Sequence, residues 1–190
     1  WADGTLVKIP AERTPEQTAS LLAASDVLGT GWFAAVAAAA GPGKTVAVVG
    51  DGAVGLLGIL AAKQLGAERI VAMSRHTDRQ ELARRFGATD IVTERGADGV
   101  AKIKELTGGY GAHSTIEAVG THESMQQAIG ATRPGGHVGF VGVAHGVELD
   151  GLDLFVSTVH LHGGPAPVRR FLPELVEAIM TGRIDPGVVF

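Results

Sequence analysis

The sequence predicts a doubly wound α/β fold, a parallel sheet of six strands with helices on both faces. Strand and helix patterns alternate along most of the 190 residues. Strands such as Val46-Ala47-Val48-Val49 are also apolar at every position. A strand that is apolar throughout is expected where helices cover both faces of a parallel sheet. The chain therefore reads as successive strand-helix-strand units.

Two helices are expected before the alternation begins. The first, Glu16 to Ala24, follows Pro15, and the second, the alanine-rich Thr30 to Ala40, stops at Gly41-Pro42-Gly43. The alternation then predicts strands at Thr45–Val49, Arg69–Met73, Asp90–Val92, Ser114–Val119, His137–Val143 and Val159–Leu161. Helices are predicted between and after them at Ala53–Leu65, Asp78–Phe86, Asp98–Leu106, His122–Ala131 and Val168–Met180. We expect residues 21–190 to form one domain.

Composition excludes several classes of function. The net charge of -4 and the lack of a basic patch argue against nucleic-acid and membrane partners. The longest strongly apolar stretch, Trp32 to Ala40, is too short to cross a bilayer, and no export signal opens the chain. We therefore expect a soluble, cytoplasmic protein. With no cysteine, the chain has no disulfide, thiolate zinc cluster or cysteine nucleophile.

A glycine-rich loop follows the first strand of the alternation and opens a helix. Its residues are Gly50-Asp51-Gly52-Ala53-Val54-Gly55, a G-x-G-x-x-G pattern that in this context is typical of the dinucleotide-binding Rossmann fold. Gly50 would make the tight turn, Gly52 would admit a pyrophosphate to the helix N-terminus, and Gly55 would allow close helix packing. The alternative is that these glycines serve only turn and packing.

The end of the second strand bears on the choice of cofactor. NAD-binding versions place an acidic residue about twenty positions after the loop. Here Ser74 and Arg75 occupy that region, and both a hydroxyl and a guanidinium suit a 2′-phosphate. Arg79 would add a second charge, unless both arginines are simply solvated. The pattern favours NADP, with NAD as the alternative cofactor.

The ends of later strands are also expected to line the binding groove. In an open parallel sheet the ligand lies across the carboxyl ends of the strands. Three short segments fall there, namely Ala118-Val119-Gly120, Val141-Gly142-Val143 and His162-Gly163-Gly164. Each segment alone is weak evidence for a binding groove, because glycine is common in the turns that follow strands.

Several motifs in order resemble the medium-chain dehydrogenase/reductase superfamily, specifically the cofactor domain of the zinc-dependent alcohol dehydrogenases. Besides the glycine loop, they are Asp26-Val27-Leu28-Gly29-Thr30-Gly31-Trp32, Phe86-Gly87-Ala88-Thr89-Asp90, Glu117-Ala118-Val119-Gly120, Arg133-Pro134-Gly135-Gly136 and Val141-Gly142-Val143. The resemblance implies that Asp26 stands where the family has a catalytic-zinc ligand. It also implies that Thr30 lies beside the nicotinamide and that Ser74-Arg75 matches the pair of NADP-using members. The alternative for Asp26 is a helix N-cap.

The resemblance further implies an enzyme that transfers hydride between NADP(H) and an alcohol or carbonyl substrate, with zinc holding the oxygen. The other zinc ligands and the proton relay belong to a catalytic domain that these residues do not contain, and residues 1–20 would be a remnant of it. The chain alone is then expected to be inactive. The resemblance also implies a homodimer through an edge strand, near Val159 to Gly164.

Other functions remain as alternatives at this stage. One is a zinc-free quinone or enoyl reductase of the same superfamily, which would not need Asp26. Another is a dinucleotide-sensing module without chemistry, which would not need the helix at Thr30. His160 and His162 lie two apart on a strand, and we interpret them as structural, since two ligands without a third seldom make a metal site.

Overall fold

The computed structural model describes residues 2–190, with side chains from residue 4 onward. Trp1, part of the predicted remnant segment, lies outside the described residues. Six parallel strands form one sheet in the order β3-β2-β1-β4-β5-β6. They are β1 Thr45–Val49, β2 Arg69–Met73, β3 Asp90–Val92, β4 Ala112–Glu117, β5 Thr132–Phe140 and β6 His160–Gly163. This order, with its crossover between β1 and β4, is that of the Rossmann fold, and the predicted fold class is confirmed.

The described helices flank the sheet along the chain. They are α1 Ala2–Thr5, α2 Pro15–Ala24, α3 Val27–Ala37, α4 Ala53–Gln64, α5 Thr77–Phe86, α6 Gly96–Leu106, α7 His122–Ala131, α8 Gly151–Ser157 and α9 Val168–Met180, with a 3-10 turn at Pro186–Val189. Successive residues of β1 alternate between two cores. Val46 and Val48 pack with α3, α4, α5 and α9, whereas Ala47 and Val49 pack with α6 and α7. Helices thus cover both faces, as predicted from the apolar strands.

Helices α3 and α4 cross at a glycine. A Cβ atom at Gly31 would lie 2.7 Å from the Gly58 amide nitrogen and 2.7 Å from the Val54 carbonyl oxygen. No larger residue fits between these backbones without moving one of them. The crossing therefore ties the helix that carries Asp26 and Thr30 directly to the helix that follows the glycine loop.

Several predicted boundaries are wrong. Helix α3 runs from Val27 to Ala37 rather than from Thr30 to Ala40. It ends early because Ala39 takes the left-handed conformation, with φ of 52°. Strand β5 covers Thr132–Phe140 rather than His137–Val143, because pairing with β4 brings in the Pro-Gly-Gly segment through a register shift between Ala112 and Ser114.

Strand β4 ends at Glu117, two residues before the predicted end at Val119. The Glu117 carboxylate accepts hydrogen bonds from the backbone amides of Val119 and Gly120, and these bonds turn the chain out of the sheet. Strand β6 lies one to two residues later than predicted, at His160–Gly163. Helices α1 and α8 and the 3-10 turn were not predicted. Asp150 starts α8 by accepting bonds from the amides of Leu152 and Asp153.

Within residues 2–190 no single helix is long and apolar enough to cross a membrane. The pair α2 and α3, bent by 50°, meets the requirement of length and composition jointly.

Candidate cofactor site

The glycine loop has the backbone that its sequence pattern predicts. Gly50 has φ of +115°, a conformation that side chains other than glycine rarely adopt. A Cβ atom at Gly50 would also lie 3.0 Å from Val119 Cγ2, at the end of the neighbouring strand β4. A Cβ atom at Gly55 would overlap the carbonyl oxygen of Gly50. The loop is therefore closed tightly on its inner side.

The outer side of the loop is open. A Cβ atom at Gly52 would meet no atom within 4 Å. Gly52 is the N-cap of α4, and no side chain forms a cap bond there. The first amides of the helix carry partial positive charge and lack intrahelical acceptors. The space beside Gly52 could therefore receive an anionic group, which the backbone of Ala53 and Val54 would face.

The ends of β4 and β5 continue this surface across the crossover. Gly120 has φ of +92°, and a Cβ atom there would lie 2.7 Å from the Val143 amide nitrogen. A Cβ atom at Gly142 would lie 2.6 Å from Glu117 Oε2. Ala118, Val119 and Gly120 therefore lie against Val141, Gly142 and Val143, as expected for residues that share one edge of a parallel sheet.

A buried carboxylate, that of Glu117, forms hydrogen bonds with the backbone at this edge of the sheet. Glu117 is fully buried, and its Oε1 accepts from the amides of Val119 and Gly120 at 2.9 and 2.8 Å and from Ser124 Oγ at 2.8 Å. Its Oε2 is buried with no hydrogen-bond partner among the described residues. Sequence reasoning gave Glu117 no role of its own. A lone carboxylate in a predicted strand covered by helices on both faces was the available signal, because such a group must be hydrogen-bonded when buried.

A cavity of about 450 Å³ opens beside the β5 and β6 ends. Asp26, Thr30, Val141, Gly142 and Val143 line it, together with Phe140, Ala144, Gly164, Pro165, Ala166 and Val168. Thr30 Oγ1 donates to Asp26 Oδ1 at 3.3 Å. Asp26 stands at the N-cap position of α3, but its side chain makes no cap hydrogen bond. The capping alternative therefore does not account for this carboxylate.

The described residues bring no complete metal site together. No group of three or more histidine or carboxylate side chains is placed to hold a metal ion within residues 2–190. A zinc ion at Asp26 would need ligands from elsewhere, because zinc sites have at least three protein ligands. His160 stacks on His137 with ring centroids 4.5 Å apart, and His162 meets Phe33 edge-on at 5.7 Å. Both contacts agree with the structural interpretation of this histidine pair.

The predicted 2′-phosphate residues fall into two groups. Ser74 is 1% exposed, and its Oγ donates to Asp51 Oδ2 at 2.7 Å. Arg79 donates to Asp51 Oδ1 at 3.1 Å. Arg75 is exposed, and no hydrogen bond or ion pair joins its side chain to another described residue. Ser74 and Arg79 are thus gathered around Asp51, while Arg75 stays free beside them.

Sequence reasoning missed Asp51. It looked for an acidic residue after β2, whereas this carboxylate comes from the loop after β1. The signal was present in the strand register, since Val49 pairs with Met73 in the parallel ladder. Residues just beyond two paired positions meet at the same edge of a parallel sheet.

The sheet order, the glycine loop and the open helix N-terminus define a cofactor-binding domain of the Rossmann type. The profile of the family described as "Zinc-binding dehydrogenase" matches residues 53–177. The chain belongs to this family.

Relatives and solved structures agree with the family. The chain is 39% identical over 192 residues to a probable zinc-binding alcohol dehydrogenase of Mycobacterium tuberculosis, with 100% of the chain and 48% of the relative covered. It is 33% identical to an NADP-dependent isopropanol dehydrogenase of Entamoeba histolytica, with 97% and 51% covered. The solved alcohol dehydrogenase of Thermus sp. ATN1 superposes with a TM-score of 0.88 at 30% identity, covering 98% of the chain and 54% of that structure. The chain spans about half the length of the relatives it matches.

Proposed function

We propose that this chain is the NADP(H)-holding half of a zinc-dependent alcohol dehydrogenase that moves hydride between the nicotinamide and an alcohol or carbonyl substrate. The observation that carries the proposal is the open amide end of α4 at Gly52, beside a hydroxyl and arginines at the end of β2. A dinucleotide laid across the crossover would meet both features at once. Hydride transfer itself is the chemistry that the nicotinamide supplies when bound.

Each end of the cofactor has its own residues in this proposal. The pyrophosphate lies on the loop formed by Gly50, Gly52, Ala53, Val54 and Gly55. The 2′-phosphate is recognised by the Ser74 hydroxyl and by the guanidinium groups of Arg75 and Arg79, which suit phosphate oxygens.

The nicotinamide end lies over the ends of β4 and β5, on Ala118, Val119, Gly120, Val141, Gly142 and Val143. Thr30 would stand beside the ring. The small residues at this edge let the backbone approach the cofactor, and Glu117 fixes the turn that presents Val119 and Gly120.

Asp26 would be one ligand of a catalytic zinc, with the remaining ligands supplied by a part of the enzyme beyond these residues. When bound, zinc would polarise the substrate oxygen. Thr30 holds the Asp26 carboxylate by its hydroxyl and so orients it toward the cavity. Because the described residues lack a full ligand set, this chain by itself is proposed to be inactive.

We further propose that the enzyme acts in the cytoplasm on a small molecule. Its net charge of -4 argues against nucleic-acid and membrane partners. The free edge strand β6 is the proposed contact between two copies. Helix α8, which lies near β5, also exposes Leu152, Phe155 and Val156, each at least 69% accessible.

The proposal is tested by titrating the 190-residue chain with NADPH and NADH, following nicotinamide fluorescence and confirming by calorimetry. We expect NADPH to bind more tightly and Arg75→Ala to remove that preference. Arg183→Ala, an exposed arginine near the C-terminal end, is the control and should leave both affinities unchanged. Equal or tighter NADH binding by the unmodified chain would contradict the assignment of the 2′-phosphate residues.

A further inference from the structure

The Asp51 carboxylate already accepts hydrogen bonds from Ser74 and Arg79, two of the residues assigned to the 2′-phosphate. Asp51 lies between two glycines of the loop, and its side chain is 13% exposed. Its two oxygens take the hydrogen bonds that Ser74 and Arg79 would otherwise give to a phosphate, at 2.7 and 3.1 Å. A second arginine, Arg95, lies 3.9 Å from Oδ2.

The Ser74 hydroxyl cannot serve both acceptors. A serine hydroxyl has one hydrogen to donate. The Ser74 oxygen also accepts from the His76 amide at 3.3 Å, so its environment is fixed on that side too. If Ser74 donates to a phosphate, Asp51 loses its hydrogen bond from Ser74. The Asp51 carboxylate would still lie about one hydrogen-bond length from the Ser74 oxygen.

Asp51 keeps its negative charge at neutral pH. Burial alone would raise the pKa of this carboxyl group. The hydrogen bonds from Ser74 and Arg79, with the charges of Arg79 and Arg95, outweigh burial and hold the pKa below its ordinary value. A phosphate dianion placed beside Ser74 would therefore face a neighbouring anion, whereas a ribose hydroxyl could donate to it.

We infer that Asp51 is a specificity-determining residue of the dinucleotide site, an inference that rests on the proposed function. Its carboxylate competes with the 2′-phosphate for Ser74 and Arg79, and it accepts the 2′-hydroxyl of an unphosphorylated ribose. The surrounding arginines give the site its attraction for the phosphate. Asp51 limits that attraction, so the preference for NADP(H) over NAD(H) is smaller than the arginines alone would produce.

Two adenosine nucleotides test this inference without the nicotinamide end. Adenosine 2′,5′-bisphosphate carries the 2′-phosphate and 5′-AMP lacks it, and calorimetry gives the affinity of the chain for each. Asp51→Asn keeps the shape of the side chain and removes its charge. We expect this variant to raise the ratio of the two affinities in favour of the bisphosphate by about tenfold, the size of one close charge contact.

Asp78→Asn is the matched control. It removes the same charge from the exposed residue beside Arg79 and should leave the ratio unchanged. The double variant Asp51→Asn with Ser74→Ala separates two effects of Asp51, its competition with the 2′-phosphate for the Ser74 hydroxyl and its general electrostatic repulsion of the phosphate. Once the hydroxyl is gone, removal of the Asp51 charge should change the ratio by less than it does in the unmodified chain.

The outcomes separate the inference from the proposed function. A chain that binds both nucleotides, with a ratio that Asp51→Asn leaves unchanged or lowers, overturns the role of Asp51 and leaves the dinucleotide site standing. A chain that binds neither nucleotide at millimolar concentration overturns the dinucleotide site and the role of Asp51 together. Thermal unfolding of each variant, compared with that of the unmodified chain, verifies that the folded protein is being titrated.

Discussion

Gly55 lies against the carbonyl group of Gly50, so close that a Cβ atom at Gly55 would overlap the carbonyl oxygen. The contact joins the first turn of α4 to the end of β1. Gly52, between them, has open space where its Cβ would be. Gly55 is therefore needed for packing, whereas Gly52 leaves space open at the start of α4. Two substitutions can distinguish these roles.

Gly55→Ala should destabilise the fold. The added methyl group meets backbone, which cannot rotate aside, so α4 must shift away from β1. We expect the free energy of unfolding to fall by about 1–3 kcal/mol, the usual cost of overpacking. Urea denaturation measures it. Gly58→Ala in the same helix is the control, because its Cβ would meet the flexible end of Ile116 at 3.3 Å. Equal effects of the two substitutions would contradict this account.

Gly52→Ala should leave stability within about 1 kcal/mol, since Gly52 has φ of -78° and ψ of 179°, which alanine adopts easily. Its methyl group would instead occupy the space proposed for the pyrophosphate. We expect the affinity for NADPH to fall at least tenfold, by rough analogy with the loss of one good contact. Calorimetry beside a thermal melt gives both quantities. Unchanged affinity would show that the pyrophosphate lies elsewhere.

Glu117→Leu should cost stability through lost hydrogen bonds. The amides of Val119 and Gly120 would have no acceptor, and an unsatisfied buried donor costs about 1–3 kcal/mol. Glu117→Gln keeps an oxygen in place of Oε1 and should lose less. Denaturant unfolding of the two variants provides the comparison. If leucine proved as stable as glutamine, the hydrogen bonds at this turn would not matter for the fold.

Stability should also fall in mild acid because of His113. Burial, followed by the charges of Arg133 and Lys44, lowers the pKa of this imidazole. The Thr45 amide donates to Nδ1 at 3.0 Å, and the Arg133 guanidinium lies 2.7 Å from Nε2, so a proton added at Nδ1 would break the Thr45 bond and place a cation beside Arg133. The unfolded chain has an ordinary histidine pKa of about 6.5 and takes up the proton first.

The contribution of His113 to the free energy of unfolding is therefore fully present well above pH 6.5 and decreases as the pH falls below that value. His113→Gln should flatten the dependence of the unfolding free energy on pH between about 7 and 5. It should not abolish that dependence, because burial and neighbouring charges also lower the pKa of His137. A variant whose pH dependence equals that of the unmodified chain would rule out this role of His113.

The proposed dimer predicts a dependence on α8. Phe155 on α8 is 80% exposed, and in the proposed dimer a second copy would cover it. Phe155→Ser should shift the mass in solution toward the monomer at micromolar concentration, as measured by light scattering. Leu22→Ser, which removes an exposed leucine from α2, should not. A monomeric mass of the unmodified chain would count against the dimer.

Local patterns predicted most of the fold, because a buried parallel strand such as Thr45–Val49 has a distinctive run of branched apolar residues. The start of β5 was missed because Arg133-Pro134-Gly135-Gly136 has the composition of a turn, and only pairing with β4 draws it into the sheet. The backbone of the glycine loop could be predicted from the sequence, since the positive φ of Gly50 and the close packing of Gly55 are needs of the local chain. The contact of Asp51 with Ser74 could not, since it joins residues 23 positions apart that only the strand register brings together.

The glycine crossing of α3 and α4 has a mechanical consequence. With the backbones of Gly31 and Gly58 this close, a slide or tilt of one helix against the other would bring backbone atoms into collision. We therefore expect Asp26 and Thr30, at the start of α3, to follow any movement of the helix after the glycine loop. If the proposed dinucleotide displaces that helix on docking, the displacement should reach the carboxylate that faces the cavity, and both ends of the proposed site should shift together.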